Sequence, residues 1–331
     1  YQRVIINSGK ISNKGWEISV SGVPVKVKNF EWKTIFNWSK NNSMVESLPE
    51  GIDKIQIGSG VYNVKSYAEV GKPYGAIYAK TFKRDAEGYI LCQLDGSPKE
   101  GQDYEYLGCV QADWRGGWNN VFRLGNFSFS VMFDFQKGGK FFSQTSIQSS
   151  VDGQSVKSLE GRDADFFSRK ILGESDEERY GFMRPQNANT PTANGQIYPD
   201  WGRPKGVVLP NCRYDEDVEG LAGQQVLGYC TPERYWMHYT SRDISRFIYD
   251  ASYVKLREIT VSYDLPKKWL RKTPFQTFRV AAVGRNIATL FANTPHGLDP
   301  QATSTTGNAQ GFERGFNLPS ATYGFDIKVS F

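Results

Sequence analysis

The side chains best suited to chemistry are few and scattered. The 331-residue chain has two histidines, His238 and His296, and four cysteines, Cys92, Cys109, Cys212 and Cys230. None of these falls at a spacing that gathers metal ligands, so no zinc or other metal is expected. The acidic runs "DEDVE" at 215–219 and "GESDEE" at 173–178 offer oxygen ligands, but without the spacing of a calcium loop, and read as solvated acids. There is no HExxH, GxSxG or P-loop, so neither a cofactor nor enzyme catalysis is expected. In an oxidising compartment Cys212 would pair with Cys230 and Cys92 with Cys109; four unpaired thiols are the equal alternative.

Binding is the chemistry that the residue types support. Between residues 150 and 250 the chain carries Tyr198, Trp201, Tyr214, Tyr235, Trp236 and Tyr239, with Arg234, Arg242 and Asp243 close by. Aromatic faces beside hydrogen-bonding groups suit sugars, and paired charges suit peptides. The candidate contacts are Tyr198, Trp201, Arg234, Tyr235, Trp236, Arg242 and Asp243. The alternative is that these aromatics pack the segment onto its neighbours.

The elements that would position them are strands. The last eleven residues, "ATYGFDIKVSF", put Tyr323, Phe325, Ile327, Val329 and Phe331 on one face, with Thr322, Gly324, Asp326, Lys328 and Ser330 on the other. The same alternation marks "KGWEISVSG", "FEWKTIFNWSK", "NFSFSVMFDF", "REITVSYDL" and "FQTFRVAAV". Aromatics are 14% of the chain, and no apolar run approaches the ~20 residues of a membrane helix. Forty basic against 35 acidic residues, dispersed, form no stripe for nucleic acid.

The connections divide into short and very long. Turns follow residues near 23, 136 and 265, whereas 43–73, 150–250 and 290–320 form extended loops. Loops of that length count against a compact soluble sandwich, and short turns opposite long loops describe an outer-membrane barrel. Nine or ten strands are expected, including 74–83, 117–124 and 140–149. That assignment leaves one short turn, "LGN" at 124–126, on the long-loop rim. The charged residues Glu17, Glu31, Lys33, Asp134, Arg279, Asp326 and Lys328 share the polar face, where a wet lumen tolerates them. Trp16, Trp38, Trp118 and Tyr323 suit interfacial girdles. The opening "YQRVIINSGKISNKG" lacks Met and reads as starting in or just before a strand, as in a fragment or processed product. The reading is therefore all-β: an antiparallel transmembrane β-barrel wall with long extracellular loops. A passive porin-like channel and a soluble all-β adhesin are the alternatives.

In order, "SGKISNKGWEISV", "YVKLREITVSYDLP", "VGRNIATLF", "GLDPQ" and the terminal "YGFDIKVSF" resemble the C-terminal part of a SusC/RagA-type TonB-dependent outer-membrane transporter. The resemblance runs from about residue 5 to 331 and is strongest after 250. It implies that 1–331 is the C-terminal portion of a 22-stranded barrel, with plug and TonB box outside this chain. It further implies a Gram-negative outer membrane, membrane lipid around the wall and a SusD-like lipoprotein over the mouth. Energy would come through TonB, and the cargo would be an oligosaccharide or peptide. The aromatic terminus from Tyr323 to Phe331 resembles the signal read by the barrel assembly machinery.

Overall fold

The computed structural model describes residues 9–159, 207–230, 232–295, 297–302, 310–315 and 320–331. The chain enters through a long hairpin of β1 (Lys10–Val27) and β2 (Phe30–Ser47). A loop follows that folds β3 (Lys54–Ser59), β4 (Lys65–Glu69), β5 (Ala76–Ala79), β6 (Ile90–Cys92) and β7 (Glu105–Cys109). The second hairpin is β8 (Trp114–Leu124) and β9 (Phe127–Lys137). A second loop holds β10 (Lys140–Ser143), the helix Gln144–Val151, β11 (Val207–Tyr214), β12 (Gln225–Cys230) and β13 (Ile248–Asp250). The third hairpin is β14 (Tyr253–Asp264) and β15 (Thr277–Ala292). A last loop with β16 (Phe312–Glu313) leads to β17 (Thr322–Ser330).

Seven of these strands, β1-β2-β8-β9-β14-β15-β17, form one antiparallel sheet. Its registers line like residues up in rows. Val25, Trp32, Phe122, Phe129, Val261, Ala282 and Phe325 stand side by side across all seven strands. So do Val27, Phe30, Leu124, Phe127, Tyr263, Val280 and Ile327. The row between them, on the other face, reads Lys26, Glu31, Arg123, Ser128, Ser262, Ala281 and Asp326. The apolar face is bare: Phe325 is 88% exposed, Ile327 63% and Leu124 61%. Each such side chain left in water forgoes about 1.5–3 kcal/mol of transfer free energy, so whole rows of them require an apolar surrounding. Two indole donors on this face are already paired: Trp32 Nε1 donates to Asn120 Oδ1 at 3.1 Å and Trp118 Nε1 to Thr34 Oγ1 at 2.9 Å. In hydrocarbon an unpaired donor would be costly.

The tight links 27–30, 124–127 and the connection 264–277 all lie on one rim, the rim on which the chain ends. The long loops all leave the opposite rim. This corrects the sequence reading in three places. Residues 124–126 belong with the short turns, which removes the single exception. Residues 76–79 lie in a loop sheet, β3-β4-β5-β7, not in the wall. The alternation at 140–149 breaks after β10, because the Ser143 hydroxyl accepts from Ser146 N and starts a helix there. The "QKGG" segment therefore leads out of the wall rather than closing a hairpin within it.

The buried cores sit in the loops. One cluster gathers Phe82, Ile90, Cys92, Val207, Cys212, Val226, Tyr235 and Trp236 among others. A second joins Val64, Ile77, Phe142, Ile147, Ile244, Phe247 and Phe312. The loops are thus folded substructures stitched by distant pairs. In one, β6 lies parallel to β11. In the other, β16 lies parallel to β10. Glu313 fixes the second pair, accepting from Ser143 Oγ at 2.6 Å and Thr145 N at 3.1 Å at the helix N-terminus.

Candidate functional site: the polar face of the wall and its loop clasp

Strand alternation builds the site. On the polar face Glu17, Ser19, Asn37, Ser39, Arg115, Gly117 and Asp134 line a groove of about 600 Å³. Gly117 forms its floor: a Cβ there would come no nearer than 3.9 Å to any other atom, so a side chain would fill the groove instead of clashing. A second hollow of about 270 Å³ continues toward the loops along Ser39, Asn41, Gln111, Trp114, Arg115 and Gln310. The groove carries both charges and several side-chain amides. Arg115 Nε donates to Gln136 Oε1 at 3.1 Å, while Asp134 is held by Arg257. Such a surface can hold a polar ligand in two charge senses. Among the described residues no cluster of His, Cys, Asp or Glu could hold a metal ion.

Beside the groove, three of the sequence motifs converge. A bulge between Leu256 and Glu258 lets Arg257 and Glu258 both turn to the polar face. Arg257 then donates to Asn286 Oδ1 at 2.6 Å and to Gln301 Oε1 at 2.7 Å. Lys255 Nζ sits 2.6 Å from both oxygens of Asp299 and 2.8 Å from Gln301 Oε1. Gln301 Nε2 reaches the Tyr253 hydroxyl at 2.5 Å. "KLRE", "GRN" and "GLDPQ" are therefore one clasp, pinning the last loop to the wall. Lys255 is 6% exposed, so its compensation by Asp299 is obligatory. Side-chain type alone gave no sign of this site, because a bulge, not the strand period, aims Arg257.

The residues singled out from the sequence fare differently. Tyr198 and Trp201 lie outside the described residues. Tyr235 and Trp236 are each 1% exposed and pack edge to face at 5.2 Å, as part of a loop core. Their aromatic surface is spent on packing, which corrects their assignment as ligand contacts. Asp243 is buried and caps the turn at 244–247 by accepting from Ser245 N at 3.2 Å. Arg234 pairs with Asp95 at 2.8 Å, and Arg242 lies over the Tyr239 ring at 4.6 Å. Burial works against ionising Asp95, but hydrogen bonds from Ser97 and Arg234 outweigh it and hold the carboxyl below its usual range. In the "DEDVE" run, Asp215 meets Lys83 at 2.9 Å and Lys99 at 2.7 Å. Against its desolvation, those two bonds bring its pKa down to about 2. Asp215 is thus a buried ion-pair partner and not a solvated acid, and Asp217 pairs with Lys99 as well, while the run at 173–178 lies outside the described residues.

All four cysteines are thiols. Register corrects the expected pairings. Cys212 stands opposite Val226, and Cys230 opposite Val207. Four residues along a strand is about 13 Å, beyond the reach of a disulfide. Cys109, in the β3-β4-β5-β7 sheet, donates to Tyr74 O at 3.4 Å, while Cys92 packs with Cys212.

An antiparallel sheet with one lipid-seeking face, short turns on one rim and folded loops on the other is the wall of a transmembrane β-barrel. Comparison with known proteins places it more closely. No family model matches the sequence. TonB-dependent receptor P3 of Formosa agariphila is 24% identical over 341 residues, covering 96% of this chain and 28% of the relative. TonB-dependent receptor P39 of the same organism is 21% identical over 191 residues, covering 43% of this chain and 18% of the relative. Among solved structures, a RagAB peptide transporter chain superposes with a TM-score of 0.55 at 15% identity, over 98% of this chain and 30% of that chain. In sequence and fold the chain is thus similar to TonB-dependent receptors, and it spans under a third of the length of each of these proteins.

Proposed function

We propose that the chain is the C-terminal part of the barrel of a TonB-dependent outer-membrane importer of nutrients. It works as structure and binding surface, not as an enzyme. The observation that carries this is the sheet with an exposed apolar face and all its long loops on one rim, aligned over almost its full length with a transporter wall. The remaining N-terminal strands of a 22-stranded barrel pair with the open edges β1 and β17, since unpaired edges are not tolerated in lipid. The plug fills the lumen behind the polar groove and carries the contact to TonB. The loop rim faces the exterior, where a SusD-like lipoprotein covers it. Arg234 and Arg242 are the sequence-derived binding residues left accessible, with Tyr198 and Trp201 as further candidates.

Of the two cargo classes, peptides fit the groove better. Glu17 and Arg115 offer opposite charges, and Asn37, Asn41 and Gln136 offer amides complementary to a peptide backbone. The importer reading is tested by growth and uptake of a strain lacking the full-length gene. Loss of TonB-dependent uptake of an oligopeptide or oligosaccharide mixture supports it; unchanged uptake, or uptake independent of TonB as in a passive porin, overturns it. Peptides co-purifying with the detergent-extracted protein, read by mass spectrometry, would favour the peptide class, and bound glycan would reverse that choice.

A further inference from the structure

The short connections of the wall carry charge of one sign. Residues 28–29, 125–126 and 265–276 contain Lys28, Lys267, Lys268, Arg271 and Lys272, and neither Asp nor Glu. The chain as a whole is nearly balanced, with 40 basic and 35 acidic residues, so the bias belongs to this rim. All five cations are exposed, and among the described residues none of them is in an ion pair. The acids that flank the connections in sequence are already engaged. Glu31 meets Lys26 at 3.1 Å, and Asp264 accepts from Arg279 through two bonds of 2.6 and 2.8 Å.

Four of the five cations sit on one ordered link. Trp269 N donates to Pro266 O at 2.9 Å, and Thr273 donates to Leu270 O through its N at 2.9 Å and its Oγ1 at 2.8 Å. These bonds close two successive turns. Leu270 is buried, whereas Trp269 is left 59% exposed. The link leaves and rejoins the wall on its apolar side. Leu265 continues the face of Val261 and Tyr263, and its N donates to Phe278 O at 2.8 Å. At the other end the Phe275 ring meets Phe278 at 6.0 Å and Phe331 at 5.2 Å. The cations and the bare indole therefore stand where the lipid-facing rows end. An indole at such a border sits at headgroup depth, one edge apolar and the other wet.

We propose that the link 266–273 binds the anionic headgroups of phospholipids in the inner leaflet. This rests on the outer-membrane reading, which sets the short-turn rim at that leaflet. Lys267, Lys268, Arg271 and Lys272 meet headgroup phosphates, for which the protein supplies no competing carboxylate. Trp269 lies against the first acyl carbons, and Lys28 extends the basic rim to the first hairpin. Each cation near an anionic surface is worth roughly a fivefold change in partition, and salt screens the attraction. A zwitterionic headgroup carries its own cation and gains much less. The site thus anchors the third hairpin, next to the terminal strand, at a fixed depth in the leaflet.

The test uses the full-length protein extracted in detergent and incubated with equimolar dioleoyl-phosphatidylglycerol and dioleoyl-phosphatidylcholine, the bound lipids being counted by native mass spectrometry. Wild type is expected to retain phosphatidylglycerol roughly tenfold over phosphatidylcholine. The variant Lys267→Gln/Lys268→Gln/Arg271→Gln/Lys272→Gln changes only exposed side chains, so it should stay heat-modifiable and lose that preference. The milder Lys267→Gln/Lys268→Gln should lose part of it. Equal retention of the two lipids by wild type, or an unchanged preference in both variants, overturns the proposal. If inorganic phosphate erases the preference where chloride of equal ionic strength does not, the cations hold a free anion and the lipid assignment fails. A heat-modifiable barrel without headgroup preference leaves the importer reading standing; a chain soluble without detergent would remove both.

Discussion

Met132 and Phe133 are adjacent apolar residues of β9, so hydropathy alone treats arginine at either position alike. The sheet does not. Phe133 lies mid-strand on the apolar face, its ring stacked on Trp118 at a centroid distance of 5.9 Å. Met132 faces the other way, opposite Asn119 and Glu258. Arginine on a lipid face near the bilayer midplane costs about 2–4 kcal/mol. The lost transfer of the phenylalanine ring adds about 1.5–3 kcal/mol. Phe133→Arg is therefore expected to destabilise by roughly 3.5–7 kcal/mol. Met132→Arg, entering the polar face beside Glu258, is expected to cost about 1 kcal/mol or less. The assay is guanidinium unfolding of the full-length protein in lipid vesicles, followed by tryptophan fluorescence. Equal losses at the two positions, or the larger loss at Met132, would refute the assignment of the faces.

Three further outcomes are expected. Asp215 has a folded pKa of about 2 and ionises near 3.9 when unfolded, so its contribution is complete above about pH 5 and is lost progressively as pH falls through 2. That contribution is about 2 kcal/mol, and the stability difference between wild type and Asp215→Asn should shrink several-fold by pH 2 and vanish near pH 1; a difference unchanged from pH 6 to pH 2 would contradict the ion-pair account. Asp299→Ala strands a buried lysine and should cost about 3–5 kcal/mol of local stability, read as faster amide exchange in residues 297–302. Lys255→Met with Asp299→Leu should recover most of it, and no recovery would show that the clasp is not electrostatic. Deletion of Phe331 is expected to lower the yield of heat-modifiable, membrane-inserted barrel several-fold; undiminished yield would remove the terminal aromatic from assembly.

The wall was legible because its signal is local. Strict alternation over nine or more residues, as in Phe127–Lys137 and Thr322–Ser330, has one structural meaning wherever it occurs. The loops resisted because their order is non-local. β6 and β16 have three and two residues, too few for any period, and each is held by a partner far away in the chain. The helix at Gln144–Val151 hid behind "KFFSQTSIQ", whose apolar spacing also fits a strand until Ser143 caps it. The aromatic wealth near residue 235 was visible, but whether rings face a ligand or a core depends on what packs over them. Lys255, Arg257, Asp299 and Gln301 were present in the quoted motifs. Their meeting depends on the bulge at Arg257, which no residue type announces.

The central claim, that one face of the seven-stranded sheet touches hydrocarbon, is tested most directly by nitroxide scanning of β9. Single cysteines placed in turn from Phe127 to Gln136, in a background without native cysteines, are spin-labelled in the full-length protein in bilayers, and collision with oxygen and with a polar nickel chelate is measured. Oxygen access should peak at 127, 129, 131, 133 and 135 and fall at the positions between, with the chelate in opposite phase. A flat profile, or the chelate peaking at the odd positions, would contradict the account.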